Sequence, residues 1–389
     1  MKNKEVLNKK IVITGGGSGG HVSAVQSLIS ELESRYILND NNFMYIGGDL
    51  GMVGEKTGNS IEQRTFRDTD IQCKYIRAGK LQRALSFSSL KLFFRTFLGL
   101  IDSYKILKNF KPEIVISTGG FVSVPVCLVS KLLGAKIYLH EQTSAIGLAN
   151  KLVSKISEKI FITFPSSQKY FPKDKTIQTG NLVREELLSP KNNGKTSTVI
   201  KGMLKEQQKY PILYISGGSL GSHIINETVK DSLSNLLDSV QLILQTGDNS
   251  QFKDFELLEN EKLKLSKEKQ SRVYITKYID SKEIGFIFKN IDIFLGRAGA
   301  NTVYEIGIFK IPSIFIPIPW VTHNEQYQNA KILKDIGLSE IINEGELTPE
   351  KLISVVKKIL KKDNSINNDL LEEIFITSAS KKIIDHILK

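Results

Sequence analysis

The feature that most constrains this chain is a twofold alternation of short β-branched runs with longer segments of helical pattern. Apolar strands separated by helix-length segments are typical of parallel sheets that helices cover on both faces. The sequence therefore predicts an α/β fold with two doubly wound domains that face each other across a cleft. The predicted strands are Ile11–Thr14, Phe43–Ile46, Ile114–Ser117, Ile137–His140 and Lys159–Thr163 in the first half, and Ile212–Ser216, Gln241–Gln245, Arg272–Thr276, Ile291–Leu295 and Ser313–Ile316 in the second.

A glycine-rich loop follows the first predicted strand of each half, at Gly15–Gly20 and at Gly217–Ser222. Glycines there allow a tight turn and let backbone N–H groups approach a phosphate at a helix N-terminus. The first loop also fits the spacing of a dinucleotide fingerprint, so a nicotinamide-dependent oxidoreductase is one alternative, although the expected acidic residue further on is not clear. His21 directly follows the first loop, at the sheet edge where ligands bind, and we predict a functional role for it.

Charge and cysteine content narrow the class of protein. The 389-residue chain has a formal net charge of +12, which favours anionic partners such as phosphorylated ligands, nucleic acid or a membrane surface. Its two cysteines, Cys73 and Cys127, are far apart, which excludes a disulfide framework and argues against a zinc site. We expect no signal peptide, because the first apolar run is too short, and no transmembrane helix, because uncharged apolar runs stay below about 18 residues.

Further strand-end loops are predicted to lie at the same sheet edges as the glycine loops. Gly119–Pro125 and His140–Gln142 would form a wall of the cleft in the first domain. In the second domain, Gly296–Glu305 combines a strand end, small residues and a helix start, whose free N–H groups and positive dipole end suit a diphosphate. Glu305, about one turn into that helix, could accept hydrogen bonds from two vicinal hydroxyls, as on a ribose.

Two other patterns concern sugar and metal binding. Gln326 and Asn329 share one face of the helix predicted to begin near Thr322, and could hydrogen-bond sugar hydroxyls. The Asp-Thr-Asp run at 68–70 resembles the metal-binding motif of one glycosyltransferase class, but it does not end an apolar strand. We interpret it as a solvated loop and predict no bound metal.

The segment 72–111 combines many cations with a single acid, Asp102. Cations beside exposed aromatic and aliphatic side chains suit an anionic bilayer surface. Each cation contributes on the order of 1 kcal/mol to membrane binding there. The alternative is a buried helix with a solvated basic face; nucleic acid is not expected, because no recognised binding module accompanies the segment. The cations are Lys74, Arg77, Lys80, Arg83, Lys91, Arg95, Lys105, Lys108 and Lys111, and the interleaved apolar residues are Leu81, Leu85, Phe87, Leu90, Leu92, Phe93, Phe94, Phe97 and Leu98.

Taken in order, these motifs resemble the MurG family of enzymes in bacterial cell-wall synthesis. The matching stretches are residues 16–21, 119–123, 140–142 with 147–151, 180–184, 217–221, 297–305 and 326–330. The resemblance implies the GT-B fold, with two Rossmann-like domains and a last helix that crosses back to the first. It places an acceptor- and membrane-associating domain at 1–183, a UDP-GlcNAc-binding domain at 184–365 and the returning helix at 366–389.

The resemblance also implies an activity. Family members transfer N-acetylglucosamine from UDP-GlcNAc to the C4 hydroxyl of undecaprenyl-diphosphoryl-MurNAc-pentapeptide, which converts lipid I to lipid II in peptidoglycan synthesis. The β linkage of the product implies inversion at the anomeric carbon, and no cofactor is implied. The implied location is peripheral, at the cytoplasmic face of the cell membrane, with segment 72–111 on the anionic surface and no nucleic-acid partner.

Site residues follow from the same resemblance. Arg184, Ser219 and Thr143 match donor-contacting positions, although Thr143 stands where the family usually has Asn. The family does not settle the general base, and His21 is our candidate because an imidazole can take the C4 hydroxyl proton near neutral pH. The other implied contacts are Ser18, Gly19 and Gly20 near the diphosphates, Ile279 to uracil through its backbone, Ala300, Asn301, Thr302, Val303, Tyr304 and Glu305 to the diphosphate and ribose, and Gln326 to the sugar.

Three other functions stay open on the sequence. One is another GT-B glycolipid glycosyltransferase, and a second is a UDP-GlcNAc 2-epimerase, which needs carboxylates around the sugar and no membrane-binding segment. The third is a non-catalytic scaffold that binds a UDP-sugar at the membrane. Replacement of His21 separates the cases, because a scaffold would keep its affinity for the UDP-sugar and would have no activity to lose.

Overall fold

The computed structural model describes residues 4–50, 58, 60–78, 87–218, 220–249, 251–321, 324–361 and 366–389. The chain forms two compact units, of which the first comprises residues 1–184 and 376–389, and the second residues 185–375. No helix in the described part of the chain is both long enough and apolar enough to span a membrane.

The first unit is built on a seven-stranded sheet in the order β5-β4-β2-β6-β7-β8-β9, in which all neighbours are parallel. Central β2 places Ile11 opposite Phe43 on one side and Ile114 on the other. Two short strands, β1 (Glu5–Val6) and β3 (Tyr36–Ile37), form a separate parallel pair. The sheet strands are β2 (Ile11–Gly15), β4 (Phe43–Gly48), β5 (Cys73–Ile76), β6 (Ile114–Gly119), β7 (Lys136–Glu141), β8 (Lys159–Ile162) and β9 (Thr176–Gln178).

Helices cover both faces of this sheet. On one face pack α1 (Gly19–Arg35), α2 (Ile61–Thr65) and α16 (Ala379–Leu388), the last helix of the chain. On the other face, α3 (Phe87–Phe110), α4 (Ser123–Leu132) and α5 (Leu148–Ser154) lie side by side. An ion pair of 2.5 Å between Arg35 on α1 and Asp385 on α16 accompanies the apolar contact between these two helices.

The second unit has a six-stranded parallel sheet in the order β12-β11-β10-β13-β14-β15. Its strands are β10 (Ile212–Ser216), β11 (Gln241–Gln245), β12 (Val273–Thr276), β13 (Ile293–Gly296), β14 (Ser313–Phe315) and β15 (Ser339–Ile341). Its helices are α6 (Glu185–Leu188), α7 (Lys195–Met203), α8 (His223–Leu236), α9 (Asp254–Leu263), α10 (Lys267–Ser271), α11 (Ile284–Asn290), α12 (Ala300–Ile308), α13 (Glu325–Ile336), α14 (Pro349–Lys361) and α15 (Asn368–Ile374).

The two faces of the second sheet have different cores. Aliphatic residues of α8, α9 and α14 pack on one face. On the other, aromatic rings contact one another at centroid distances of 5.7–6.3 Å, and they belong to Tyr214, Phe288, Phe294, Phe309 and Phe315. Each unit is thus a parallel sheet with helices on both faces, and the prediction of an α/β fold with two such domains is confirmed.

The structure differs from the sequence analysis mainly at sheet edges and in the polar stretch 189–210. All the predicted strands are present, but the edge strands β5, β9 and β15 were not predicted, because they are short and partly exposed. The composition of that stretch, rich in Lys, Asn and Gln, is typical of a connector between domains. It nevertheless contains α7, whose Ser197 donates a hydrogen bond of 2.7 Å to Glu283. The stretch predicted as one returning helix holds α15 in the second unit and α16 in the first.

Candidate active site

The first glycine loop connects β2 to α1 and has two of its backbone amides already bonded within the protein. Gly16 donates to the carbonyl of Gly119 (3.3 Å), and Gly17 donates to Glu62 Oε1 (2.6 Å). The first helical hydrogen bond of α1 runs from Val22 to Ser18 (3.2 Å). The amides at the start of α1, those of Gly19 and Gly20, therefore precede that bond and are the loop's groups suited to an anion.

Glu62 is a site residue that the sequence analysis missed. Its side chain is fully buried on α2, where a capping box between Ser60 and Gln63 starts the helix. Beside it, the Tyr45 hydroxyl donates to the carbonyl of Gly15 (2.8 Å), and burial near Glu62 raises the pKa of Tyr45 well above its ordinary value. Glu62 and Tyr45 thus hold the first glycine loop in place through their hydrogen bonds to Gly17 and Gly15. The Ser60–Gln63 pattern in the sequence predicts the start of a helix. The neighbouring sequence does not predict that Glu62 accepts a hydrogen bond from Gly17.

His21, in the first turn of α1, has one ring nitrogen fixed by the protein. Its Nδ1 lies 2.8 Å from the carbonyl oxygen of Thr118, which can only accept a hydrogen bond, so Nδ1 carries the hydrogen. The Gln142 amide nitrogen donates to the same carbonyl (3.2 Å) and is 3.3 Å from Nδ1, a contact between two donors that share one acceptor. In the neutral ring, the lone pair is therefore on Nε2, which has no hydrogen-bond partner among the described residues.

The environment of His21 favours the neutral imidazole. Burial lowers the pKa of His21 below its ordinary 6.5, and the hydrogen bond to Thr118 opposes this effect in part. The ring is partly exposed, at the carboxyl edge of the sheet where the loops after β2, β6 and β7 meet. A neutral imidazole with a free Nε2 lone pair is the form that can accept a proton from a hydroxyl.

Gly119 supports the His21 ring, and we predict that its replacement by Ala disturbs that ring. Gly119 has φ +99°, and an added Cβ would lie 2.9 Å from His21 Cε1 and 2.8 Å from Asn150 Oδ1. We expect Gly119→Ala to lower stability by about 1–3 kcal/mol and the turnover number by roughly tenfold or more. Thermal unfolding and steady-state kinetics measure the two effects.

Gly134→Ala is the matched control for this variant. Gly134 also has a positive φ, +92°, but an added Cβ there would meet nothing within 4 Å. We expect it to share part of the stability loss and to keep full activity. Equal turnover numbers for the two variants would show that the His21 ring does not depend on Gly119.

The loop after β7 brings only one of its three predicted polar side chains to His21. All three side chains are buried; Gln142 makes that contact, whereas His140 and Glu141 bond to other groups. His140 donates to the carbonyl of Gly180 (3.0 Å), and burial lowers the pKa of His140 to about 4. Burial raises the pKa of Glu141, which accepts hydrogen bonds from Asn150 (2.8 Å) and from the backbone and hydroxyl of Thr143 (3.0 and 2.8 Å). His140 and Glu141 therefore hold the loop, and the donor contact of Thr143 stays a prediction.

In the second unit, Arg297 connects three segments around the second glycine loop. Its guanidinium donates to Ser222 Oγ (2.8 Å) and to the carbonyl of Ile316 (2.9 Å), and pairs with Glu344 at 2.5 Å. Only 11% of each charged side chain is exposed. Arg297 therefore positions the loop that begins α8. Ser219, predicted to contact the donor, lies outside the described residues.

The predicted diphosphate loop forms the start of α12. The first helical hydrogen bond there runs from Val303 to Gly299 (2.9 Å), so the preceding amides, those of Ala300, Asn301 and Thr302, lie ahead of it. The side chains of these three residues are partly exposed, as is that of Glu305.

Val303 and Tyr304 are placed differently from their neighbours on α12. Both side chains are fully buried, and the Tyr304 hydroxyl donates to the carbonyl of Ile374 (3.0 Å). Any ligand contact from these two residues would therefore come from the backbone. Ile279, in the loop after β12, and Arg184, at the end of the first unit, are partly exposed.

Gln326 and Asn329 on α13 have distinct positions. Gln326 Oε1 accepts from the backbone amides of Ala298 (3.3 Å) and Ile318 (3.1 Å), which orients its NH₂ group as the donor for a ligand. Asn329 is fully buried and donates to the carbonyl of Ala298 (3.2 Å), so it anchors the loop and does not reach a sugar. The helix begins at Glu325, slightly later than the predicted start near Thr322, which lies outside the described residues.

The predicted membrane segment has two cations that the protein itself neutralises. Arg77 forms a two-pronged pair with Asp102 (2.8 and 2.6 Å), which lowers the pKa of that carboxyl group, and Arg95 pairs with Asp49 at 2.7 Å. Lys80 and Arg83 lie outside the described residues.

Exposed apolar side chains occur on three neighbouring helices of the first unit, both within the predicted segment 72–111 and outside it. They form what we call the apolar patch: Phe97, Ile101 and Tyr104 on α3, Leu128 and Leu132 on α4, and Leu148 and Leu152 on α5. Exposed lysines on the same helices are Lys105, Lys108, Lys131 and Lys151. The leucines of α4 and α5 were missed, because sequence alone does not tell which apolar helix positions face solvent.

The described residues contain no group of three or more His, Cys, Asp or Glu side chains arranged to hold a metal ion. Asp68 and Asp70 are exposed, in agreement with their interpretation as part of a solvated loop.

Comparison with known proteins gives concordant matches over nearly the whole chain. The glycosyltransferase family 28 N-terminal domain matches residues 11–162, and the corresponding C-terminal domain matches residues 212–387. The UDP-N-acetylglucosamine–N-acetylmuramyl-(pentapeptide) pyrophosphoryl-undecaprenol N-acetylglucosamine transferase of Finegoldia magna is 31% identical over 384 residues, which covers 97% of both chains.

Two solved structures share the fold. MurG of Acinetobacter baumannii superposes with a TM-score of 0.70 at 22% identity, over 98% of this chain and 99% of that one. The UDP-GlcNAc 2-epimerase of Neisseria meningitidis, bound to UDP-GlcNAc, superposes with a TM-score of 0.63 at 14% identity, over 97% of this chain and 99% of that one. At such identities the likeness concerns the fold alone.

Proposed function

Since the chain belongs to the MurG family of glycosyltransferases, we propose that it transfers N-acetylglucosamine from UDP-GlcNAc to the C4 hydroxyl of undecaprenyl-diphosphoryl-MurNAc-pentapeptide. The observation that carries this proposal is the 31% identity to a transferase of that name over 97% of both chains. The geometry of His21 supports it, because the reaction needs a neutral base beside a bound hydroxyl.

In the proposed reaction, the C4 hydroxyl oxygen of the acceptor attacks the anomeric carbon of the donor sugar. His21 Nε2 takes the hydroxyl proton as the new C–O bond forms. The bond from the anomeric carbon to the diphosphate oxygen breaks, its electron pair leaves with UDP, and the anomeric configuration inverts.

The second unit would bind the donor. Amides at the start of α12 would hold the diphosphate, whose charge grows as the bond breaks. Glu305 would bind the ribose, Ile279 the uracil and the Gln326 amide the sugar. Ser18, Gly19 and Gly20 would lie near the diphosphates, with Thr143, Arg184 and Ser219 as further donor contacts.

We further propose that the apolar patch, with its flanking lysines, holds the enzyme at the anionic cytoplasmic face of the cell membrane. The expected effect of Leu132→Glu is a loss of vesicle binding of about tenfold, because burial of a leucine side chain contributes about 1.5–3 kcal/mol. Leu132 is 86% exposed on α4. Co-sedimentation with vesicles that contain an anionic phospholipid measures the effect.

Leu263→Glu is the control, since Leu263 is 69% exposed on α9 of the second unit. It should leave vesicle binding unchanged. If both variants bind vesicles like the wild type, the apolar patch is not the membrane surface.

The transfer itself is tested by following the donor by NMR, with and without a lipid-linked MurNAc-peptide acceptor. The proposal predicts that UDP-GlcNAc alone stays unchanged, and that acceptor addition yields a β-linked GlcNAc-MurNAc product. Formation of UDP-ManNAc from the donor alone would instead establish an epimerase, whose fold this chain shares. Transfer to a different lipid would indicate another glycolipid glycosyltransferase.

A further inference from the structure

His223, the first residue of α8, is held by contacts that no step above uses. Its Nδ1 lies 2.7 Å from Asp254 Oδ1, and its ring stacks on Phe252 at a centroid distance of 3.8 Å and an interplanar angle of 9°. Two contacts of different kinds thus fix the position of the imidazole. His223 comes directly after the second glycine loop and is the first residue of its helix. His21 likewise comes after the first glycine loop, where it is the third residue of its helix.

Asp254 is itself fixed by the protein. The side chain is buried, and its Oδ2 accepts a hydrogen bond of 2.8 Å from the Asn226 amide, which also donates to the carbonyl of Thr246 (3.0 Å). Both carboxylate oxygens are therefore engaged, one by Asn226 and one by His223. A histidine supported in this way by a buried carboxylate and an aromatic ring is typical of a positioned ligand-binding group.

The remaining polar atom of the ring is Nε2, which has no hydrogen-bond partner among the described residues. The His223 side chain is 34% exposed, so this nitrogen is accessible to a ligand. Ser222, the residue that precedes α8, makes no capping bond to the helix, and its hydroxyl accepts from Arg297 instead. The start of α8 thus combines uncapped backbone N–H groups with an oriented imidazole, and both suit an anionic oxygen.

The sheet order places His223 along the path expected for a nucleotide diphosphate. His223 and Asp254 follow β10 and β11, which are neighbours in the sheet. Ile279 follows β12 on one side of them, and the α12 loop follows β13 on the other. His223 therefore lies between the proposed uracil contact and the proposed diphosphate loop.

We propose that His223 is a binding residue for the donor diphosphate, with Asp254 and Phe252 as its positioning residues. In the proposed complex, the ring donates Nδ1–H to Asp254 and Nε2–H to a phosphoryl oxygen. This inference rests on the proposed function, since it takes a uridine diphosphate as the ligand of the second unit.

The test compares the affinities of UDP and uridine for the full-length protein by isothermal titration calorimetry. We expect His223→Ala to weaken UDP binding about tenfold, as for a hydrogen bond to a charged group, and to leave uridine binding unchanged. His223→Asn keeps an amide N–H near the position of Nδ1 for Asp254 but has no polar atom at the position of Nε2, so it should fold like the wild type and show the same loss. His386→Ala, a histidine on α16 of the first unit, is the matched control and should bind UDP normally.

Each outcome decides a separate point. Wild-type affinity for UDP in His223→Asn would overturn the inference and leave the proposed function in place. An equal loss for UDP and uridine would place His223 at the nucleoside, not at the diphosphate, and would also overturn it. If the wild-type protein fails to bind UDP, the proposed function fails, and the inference fails with it.

Discussion

Replacement of His21 by Gln is expected to lower the rate of GlcNAc transfer by about 100- to 10,000-fold while UDP-GlcNAc binding stays within about twofold of the wild type. The variant keeps a polar side chain at the carboxyl edge of the first sheet but lacks the Nε2 lone pair that the Thr118 carbonyl leaves free. Single-turnover kinetics measure the chemical step, and titration with UDP-GlcNAc measures binding. A variant that transfers at the wild-type rate would exclude His21 as the base.

The pH dependence gives a second readout for His21. Because burial lowers the pKa of His21 below 6.5, the base is neutral at pH 7 and becomes protonated only as the pH falls through that lowered value. Activity should therefore be insensitive to pH near 7 and fall on the acid side, below 6.5. The activity of His21→Gln should no longer show this decrease at acid pH. An unchanged decrease in the variant would assign the titration to another group.

The second large effect is expected for Arg297→Met. Removal of the guanidinium leaves the Glu344 carboxylate, only 11% exposed, without its ion pair and frees Ser222 and the Ile316 carbonyl. Loss of one partner of a buried pair costs about 3–5 kcal/mol. We therefore expect the second unit to unfold at a lower denaturant concentration, by an amount equivalent to that free energy.

The double variant Arg297→Met/Glu344→Gln separates the effect of the unpaired buried charge on stability from the effect of the lost hydrogen bonds. It should recover part of the stability, since no unpaired carboxylate is left. Both the single and the double variant should bind UDP more weakly than the wild type, because Ser222 is released in each. Denaturant unfolding and UDP titration measure the two properties. A loss of less than 1 kcal/mol in the single variant would contradict the positioning role of Arg297.

How well the fold could be predicted depended on burial along each strand. Ile11–Gly15 and Ile212–Ser216 are buried at every position, so an apolar run predicts them directly. The strands Cys73–Ile76 and Thr176–Gln178 lie at sheet edges, where partial exposure permits polar residues and removes the signal. Helix α7 was missed for a related reason, because half of its buried residues are polar, Thr196 and Ser197, and Ser197 is hydrogen-bonded to Glu283.

The candidate site shows the same division between local and long-range signals. The glycine loops and His21 are adjacent in sequence, so their pattern could be read directly. The groups that orient them are remote in sequence: Glu62 is 45 positions from Gly17, and Thr118 is 97 positions from His21. Cation counting along segment 72–111 likewise could not show that Asp49 neutralises Arg95.

The most direct test of the central claim is the release of UDP from UDP-GlcNAc, measured in EDTA with and without a lipid-diphosphoryl-MurNAc-peptide acceptor. We expect release that depends on the acceptor and yields a GlcNAc-containing lipid in equal amount. UDP-GlcNAc binding without acceptor-dependent release would show that the chain is not this transferase.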